Sequence, residues 1–243
     1  MKLVQSNIWG GKLEFQLLDF FADQQADIAC LQEVNDLKGP SGALFATFDE
    51  ILEIGNFSDS HMAALHSSNY MNRTLHYGNA TASKFPIVER HTIFTYGDYK
   101  DNFDMVDDET NVRNLQHIVV DVSGKNLHVL NHHGFFIAGS KAGDDETLRQ
   151  MHMIANYIKQ LDGPVILSGD FNLAPNSESM QVFNDLLTDL SSKFGLTSTY
   201  AHLSIHNVVC DYILVNNQVT VNNFQMSDDL ISDHKALILD FDL

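Results

Sequence analysis

Acids, carboxamides and histidines recur where the apolar runs of this 243-residue chain stop. Asn7 ends "KLVQSN", Glu33 ends "DIACLQ", and Asn79 follows "LHYG". His132 and His133 end "NLHVLN", and Asp170 and Asn172 end "VILSG". Asp211 opens "YILV", and Asp233 and His234 precede "KALIL". Carboxylates and carboxamides are hard oxygen donors of the kind that hold a divalent cation. Imidazoles carry protons near neutral pH. Singly, each residue has an ordinary explanation, because Asn and Asp favour turns and helix caps and an edge histidine is commonly just hydrogen-bonded. Together they would need many coincidences, whereas one shared rim at the strand ends accounts for all of them.

Other chemistries fail on their signatures. "GGK" at 10–12 lacks the leading Gly and following Ser/Thr of a phosphate-binding loop. No G-x-S-x-G elbow occurs, and the twelve histidines form no H-E-x-x-H pair. The two cysteines, Cys30 and Cys210, are too few for a disulfide framework and are expected to pack as small core residues. His61, His66 and His76 are scattered and read as surface or edge positions.

The elements that must position the rim alternate between strand and helix. "KLVQSNI" reads as a strand, and "KLEFQLLDFFADQ" places Leu13, Leu17, Phe20 and Phe21 on one helical face. "DIACLQEV" is a second buried strand, followed by a Gly/Pro/Ser-rich loop at 38–42 and an unassigned mixed stretch. "TLHYGNA" and "IVERHTIFTY" are strand-like, and "NLQHIVVDV" and "NLHVLNHHG" flank "SGK" as a hairpin. "DETLRQMHMIANYIKQL" has Leu148, Met151, Ala155 and Ile158 at core spacing. "PVILSGDF" is a strand, and "SESMQVFNDLL" a helix capped by Ser177. "CDYILV", "VTVNNFQM" and "KALILDF" close the chain as strands. Alternation along "SGDFN" would put Asp170 and Asn172 on one side and Phe171 on the other. Helices mixed with hairpins predict a layered α/β fold with mixed sheets.

Lys and Arg number 14 against 32 Asp and Glu, a net charge of −18. A duplex-DNA binder needs a basic surface to displace counterions, and none is visible. The acid clusters at 98–110 and 144–146 read as solvated loops. Net charge does not exclude phosphate substrates, since a bound metal inverts the local field. No apolar run approaches the roughly 20 residues that span a bilayer. The first residues read as a strand without a signal peptide's apolar core, so a cytoplasmic location is expected.

The constellation resembles the endonuclease/exonuclease/phosphatase family, the deoxyribonuclease-I-like metal-dependent phosphoesterases. The likeness runs in order through "SNIWGG", "DIACLQEV", "YGNATASKFPI", "VLNHHG", "SGDFN", "CDYILV" and "SDH". "SGDFN", "SDH" and "LQEV" are its specific signals. The resemblance implies an α/β four-layer sandwich, two packed mixed β-sheets flanked by helices, with 1–243 as a single domain.

It also implies roles. Glu33 is the principal Mg²⁺ ligand, with Asn7 beside it and Asp233 nearby, and Mn²⁺ would serve in place of Mg²⁺. Asp170 orients or deprotonates the attacking water, and Asn172 donates to the phosphoryl oxygens. His133 and His234 bracket the phosphate, and Asp211 orients the His234 ring. Where the family shows Thr-His this chain has His132-His133; the second position selects His133 and leaves His132 to the opposite face. Asn79 and Arg113 fit positions that support the phosphate site, while Arg149 and Gln150 match a family helix and read as structural.

The implied activity is a Mg²⁺-dependent phosphodiesterase, in first place a nuclease for single-stranded, short or modified nucleic acid. The alternative is a phosphatase or phosphodiesterase of a small soluble molecule or lipid headgroup. A non-catalytic binding module is a third reading, weakened by the completeness of the residue set. The expected partner is the phosphate-ester substrate, with no obligate protein partner evident. Loops 38–60, 98–112 and 135–146, where members differ, carry no assignable signal. Trp9, the single tryptophan, is expected to pack under the rim rather than stack on a base or sugar.

Overall fold

The computed structural model describes residues 1–38, 41–42, 44–104, 106, 108 and 110–243. The loop readings at 38–42 and 98–110 fall partly outside these residues. Strand β1 (Lys2–Asn7) shows how the layers arise from alternation. Leu3 enters one apolar cluster and Val4 another on the opposite face. Such a strand is covered on both sides, and five of its six residues are buried. Helix α1 (Glu14–Gln24) buries Leu17, Phe20 and Phe21, the stripe that its spacing predicts.

β2 (Ile28–Leu37) lies parallel to β1. The unassigned stretch that follows holds two elements. Helix α2 (Phe48–Ile54) begins at a reciprocal cap between Thr47 and Glu50. Strand β3 (Asp59–Tyr70) is an edge strand of mostly small and polar residues, which is why its pattern is weak. β4 (Arg73–Ser83), β5 (Ile87–Tyr96), β6 (Arg113–Val122) and β7 (Lys125–His133) follow, the last two joined as the expected hairpin. Helix α3 (Asp145–Ile158) is capped by Asp144 and lays Met151, Ile154, Ala155 and Ile158 into the core.

β8 (Val165–Asp170) ends at Asp170. Helix α4 (Glu178–Gln181) is capped by Ser177 as predicted but lasts four residues, not eleven. The chain then continues as turns that still bury Phe183 and Leu187. The bridge strand β9 (Thr188–Asp189), helix α5 (Leu190–Lys193), and strands β10 (Asp211–Val215), β11 (Thr220–Met226) and β12 (Leu237–Asp242) complete the fold.

Among the described residues the strands form two six-stranded sheets, ordered β11-β12-β1-β2-β4-β3 and β5-β6-β7-β8-β10-β9. Leu3, Cys30, Ile118, Val129, Ile166, Ile213 and Leu239 belong to the core between them. α1 and α2 cover the outer face of the first sheet, and α3 and α4 that of the second. This is the four-layer α/β sandwich. Both sheets are mixed, with β1–β2 and β7–β8 the parallel pairs. The two parallel pairs carry Asn7 and Glu33 in one sheet, and His133 and Asp170 in the other, to a single rim. No described helix is long and apolar enough to cross a membrane.

Just behind that rim the core is polar. Gln5 Nε2 donates to Gln32 Oε1 at 2.9 Å, and Gln32 Nε2 to Asn131 Oδ1 at 2.6 Å. Asn131 Nδ2 in turn donates to the Leu31 carbonyl at 2.9 Å, tying the second sheet to the first. Buried amides are tolerated when their hydrogen bonds are met, and such networks fix a unique register between layers.

Candidate active site

Glu33 does not end its strand. β2 runs on to Leu37, and its pairing with β4 slips between Leu31 and Val34. Glu33 stands in that bulge with φ +57°, a left-handed conformation unusual for a glutamate. Bulges re-aim single side chains, and strain of this kind gathers at functional sites. Asn7, at the end of β1, donates through Nδ2 to Glu33 Oε1 at 2.9 Å and to Asp170 Oδ2 at 3.1 Å. Its Oδ1 accepts from the Trp9 amide at 3.0 Å. One carboxamide therefore links an acid from each sheet.

Asp170 and Asn172 reach the cleft by a turn, not by strand alternation. Asn172 has φ +57°, and its amide donates to Asp170 Oδ1 at 2.9 Å. Phe171 points into the core as expected. Asn172 Nδ2 donates to the Gly134 carbonyl at 3.2 Å, and its Oδ1 accepts from Lys141. Arg113 Nε donates to the same Gly134 carbonyl at 2.6 Å, bracing the turn after β7. A side chain at Gly134 would overlap the Phe171 backbone, so the two turns interlock.

His234 Nδ1 lies 2.8 Å from Asp211 Oδ2. Asp211 also accepts from Thr199 Oγ1 at 2.6 Å and from Gln5 Nε2 at 3.2 Å. Burial alone would raise the Asp211 carboxyl, but His234, Thr199 and Gln5 outweigh it and hold it below its ordinary value. Burial likewise opposes charge on His234, yet Asp211 and Asp170 raise the imidazole well above the usual range. His133 behaves oppositely: burial, with Arg113 beside it, lowers it to about 3. Nε2 of His133 and of His234 stand 3.7 and 3.8 Å from Asp170 Oδ2. The two imidazoles that flank this carboxylate are thus shifted in opposite directions.

Glu33 is raised, chiefly by burial and then by Asp170 and Asp233, against the lowering effect of the Asn7 hydrogen bond and His234. Asp233 is half-buried on the loop before β12 and lines the cleft with Glu33, His133, Asp170, Asn172 and His234. These hard oxygen donors suit a divalent cation. Asp170, Cys210, Asp211 and His234 also bring ligand-type atoms within 4.8 Å of one another. Burial pushes the Cys210 thiol up to about 12, so the oxygen-rich side of the cleft is the better cation site.

Asn79 is not brought into the cleft lining. It is fully buried between the sheets, and its Nδ2 donates to Asn114 Oδ1 at 2.9 Å. His132 faces away as expected, near the Asn114 carbonyl at 3.0 Å and against the Phe171 ring. Cys30 is a core residue, whereas Cys210 sits at the dyad, its Sγ 3.4 Å from Asp211 Oδ2. Trp9 is half-exposed and lines a groove beside the cleft, with Lys12 Nζ 3.9 Å from its ring. His66 is no free surface residue but is stacked between Tyr77 and Phe103.

Sequence reading missed Tyr77, Lys141 and Tyr200, all in the cleft lining. Tyr77 shares a strand face with Asn79, a signal that two-residue alternation could have supplied. Burial and Glu33 hold its phenol well above the ordinary range, so it stays protonated. Lys141 and Tyr200 lie on loops that carry no such pattern.

A cleft of about 260 Å³ results, polar and rimmed by both sheets. It brings together the carboxylates of Glu33, Asp170 and Asp233, the carboxamide of Asn172 and the imidazoles of His133 and His234. No curated protein matches the chain in sequence. Its fold is similar to that of an endonuclease/exonuclease/phosphatase from Beutenbergia cavernae DSM 12333. There the TM-score is 0.74 at 17% identity, over 100% of this chain and 71% of that one. Mannosyl-6-phosphatase Bt3783 of Bacteroides thetaiotaomicron VPI-5482 gives 0.71 at 14% identity, covering 100% of each chain. A humanized D. rerio TDP2 gives 0.67 at 15% identity, over 100% of this chain and 99% of that one. The family model for Endonuclease/Exonuclease/phosphatase matches residues 4–234, and the chain belongs to that family of metal-dependent phosphoesterases.

Proposed function

We propose that this protein hydrolyses a small soluble phosphate ester with the help of a divalent cation. The position of Asp170 carries the reading. Its Oδ2 accepts from Asn7 and is flanked by His133 and His234 at 3.7 and 3.8 Å. A carboxylate so placed accepts a proton from an attacking water while the flanking groups reach the phosphoryl oxygens.

Glu33, Asn7 and Asp233 would hold Mg²⁺, and Mn²⁺ by the same donors. The fit rests on charge, since Glu33 is raised by burial and by the neighbouring Asp170 and Asp233, a strain that a dication relieves. When bound, the cation screens the non-bridging oxygens and stabilises the leaving oxygen. Asn172, with Oδ1 committed to Lys141, keeps an Nδ2 hydrogen for a phosphoryl oxygen. His234 supplies positive charge, and His133 supplies a hydrogen bond without charge. Asp211 orients His234, and Arg113 braces the Gly134 turn.

The dimensions of the cleft support a small substrate. Phe136, Tyr200, Ser204 and His206 wall one side of a space of about 260 Å³. Among the described lining residues the Lys and Arg side chains are Arg113 and Lys141. Two cations on a chain of charge −18 do not make a track for a polyanion. A nuclease acting on short or modified ends is the second reading, favoured by the adjoining groove. That groove, of about 610 Å³, includes Trp9, Tyr77 and Phe103, faces on which a base can stack. Free, buried Cys30 and Cys210 suit a reducing cytoplasm.

Turnover with Mg²⁺ on sugar phosphates, inositol phosphates, nucleotides, short single strands, end-modified oligonucleotides and sphingomyelin tests the proposal. The highest kcat/KM is expected on a small soluble ester. A preference for oligonucleotides would replace it with the second reading, and a preference for sphingomyelin would overturn both.

A further inference from the structure

Past Glu33 the catalytic cleft opens into the groove of about 610 Å³. Glu33, Tyr77 and Thr110 line both spaces, so the two are continuous. A phosphoryl group held at Asp170 therefore leaves the rest of its ester within reach of the groove. Ligand sites commonly have this volume and set a few polar groups among apolar walls.

One wall is a column of three nearly parallel rings. His66 on β3 pairs directly with Tyr77 on β4, and their rings stack at 5.0 Å and 19°. Phe103 stacks on the same imidazole at 4.1 Å and 18°. The segment that carries Phe103 is fastened to β3. Ser67 N donates to the Lys100 carbonyl at 2.9 Å, Lys100 N to that of Leu65 at 3.1 Å, and Phe103 N to that of Ser67 at 2.7 Å. The column is thus fixed before any ligand arrives, which lowers the ordering cost of binding.

Trp9 enters the same groove from the turn after β1. Its φ of +51° is left-handed, a costly conformation for so bulky a residue and one that gathers at ligand sites. The turn is pinned around it. Trp9 N donates to Asn7 Oδ1 at 3.0 Å, Asn35 Nδ2 to the Gly10 carbonyl at 2.8 Å, and Ala46 N to that of Gly11 at 2.9 Å. A half-exposed indole is therefore held in place by a residue of the catalytic site. Lys12, with Nζ 3.9 Å from that indole, is the single Lys or Arg among the described residues lining the groove.

Given the cleft as the phosphoester site, on which this assignment rests, we infer that the groove holds the alcohol portion of the substrate and that this portion carries a flat unsaturated ring. Trp9, Tyr77, His66 and Phe103 are the rings that would pack against it, and stacking favours a planar partner over a flexible chain. Lys12 supplies a donor for a polar substituent of that ring. One cation does not suit a polyanion, so the ring body is uncharged. An aryl alcohol and a nucleoside share this chemistry.

Trp9 is the only tryptophan of the chain, so its fluorescence reports on the groove without any turnover. Phenol and adenosine, which carry no phosphate, are titrated into the full chain beside glycerol. Saturable quenching is expected from at least one of the two rings and none from glycerol, and Phe103→Leu should weaken that quenching at least fivefold. With Mg²⁺, kcat/KM on phenyl phosphate or adenosine 5′-monophosphate should exceed that on glycerol phosphate at least tenfold, and the better ring ester names the source. Trp9→Gly, which also relieves the left-handed strain, should erase most of this preference, chiefly through KM on the ring ester. No quenching by either ring, or equal kcat/KM on ring and ring-free esters, would overturn the inference. Quenching without turnover of any ester would instead sink the phosphoester reading and leave the groove as a ring-binding site.

Discussion

Asp211 Oδ2 holds His234 Nδ1 at 2.8 Å, while Asp211 Oδ1 is held from the other sheet by Gln5 Nε2 at 3.2 Å. The carboxylate that orients the imidazole is thus itself fixed by the inter-sheet amide network. His234→Ala is expected to lower kcat by 10²- to 10⁴-fold, the usual range for a positioned acid–base group. Asp211→Asn should cost less, and the double variant should be little worse than His234→Ala, because groups acting as one unit are not additive. Single-turnover rates together with thermal melts check this. Multiplicative losses would break the pair into independent residues.

Metal dependence should centre on Glu33. Its carboxylate is the raised, strained acid of the bulge, so Glu33→Gln removes the anion that most needs a cation. The Mg²⁺ concentration for half-maximal turnover should rise more than tenfold, and chelation should abolish wild-type hydrolysis of bis-p-nitrophenyl phosphate. Activity that survives exhaustive chelation would sink the cation's role.

Stability should fall in mild acid. Burial lowers His117 to about 3 and His132 to about 4, against 6.5 for an imidazole in the unfolded chain. Below pH 6.5 the unfolded state binds protons that the folded state refuses. The contribution is whole above that pH and is lost as pH falls toward 4. Each such group adds up to about 1.4 kcal/mol per pH unit to the slope. Urea midpoints at pH 7.5 and 5.0 measure it, and His132→Met should shrink the difference. An unchanged difference would show that His132 takes no part.

The strands and most of the rim were legible because alternation and abrupt polar stops survive in one dimension. Asn7, His133, Asp170 and His234 could be read in this way. The route by which Glu33 and Asn172 arrive could not, since both depend on left-handed residues that a bulge and a turn impose. Asn79 misled because a polar residue at a strand end can serve the layer between sheets as well as the cleft. α2 and β3 escaped because short capped helices and polar edge strands have weak periodicity. Lys141 and Tyr200 come from loops, where only the folded chain brings residues together.

Lys141 should discriminate between kinds of ester. Its ammonium donates to Asn172 Oδ1 and lies 5.3 Å from the Phe136 ring and 5.8 Å from that of Tyr200. It therefore stands at the mouth of the cleft, on the side walled by aromatic residues. A phosphomonoester carries nearly one more negative charge than a diester near neutral pH, and a lysine is a point charge that serves any oxygen in reach. Lys141→Met should lower kcat/KM on a monoester at least tenfold more than on bis-p-nitrophenyl phosphate. The same change frees Asn172 Oδ1, so Asn172→Ala is the control: it should depress both substrates alike, since its donor serves any phosphoryl group. Equal losses on both esters in Lys141→Met would reduce the lysine to a prop for Asn172. A selective loss would mark the enzyme as one tuned to terminal phosphates.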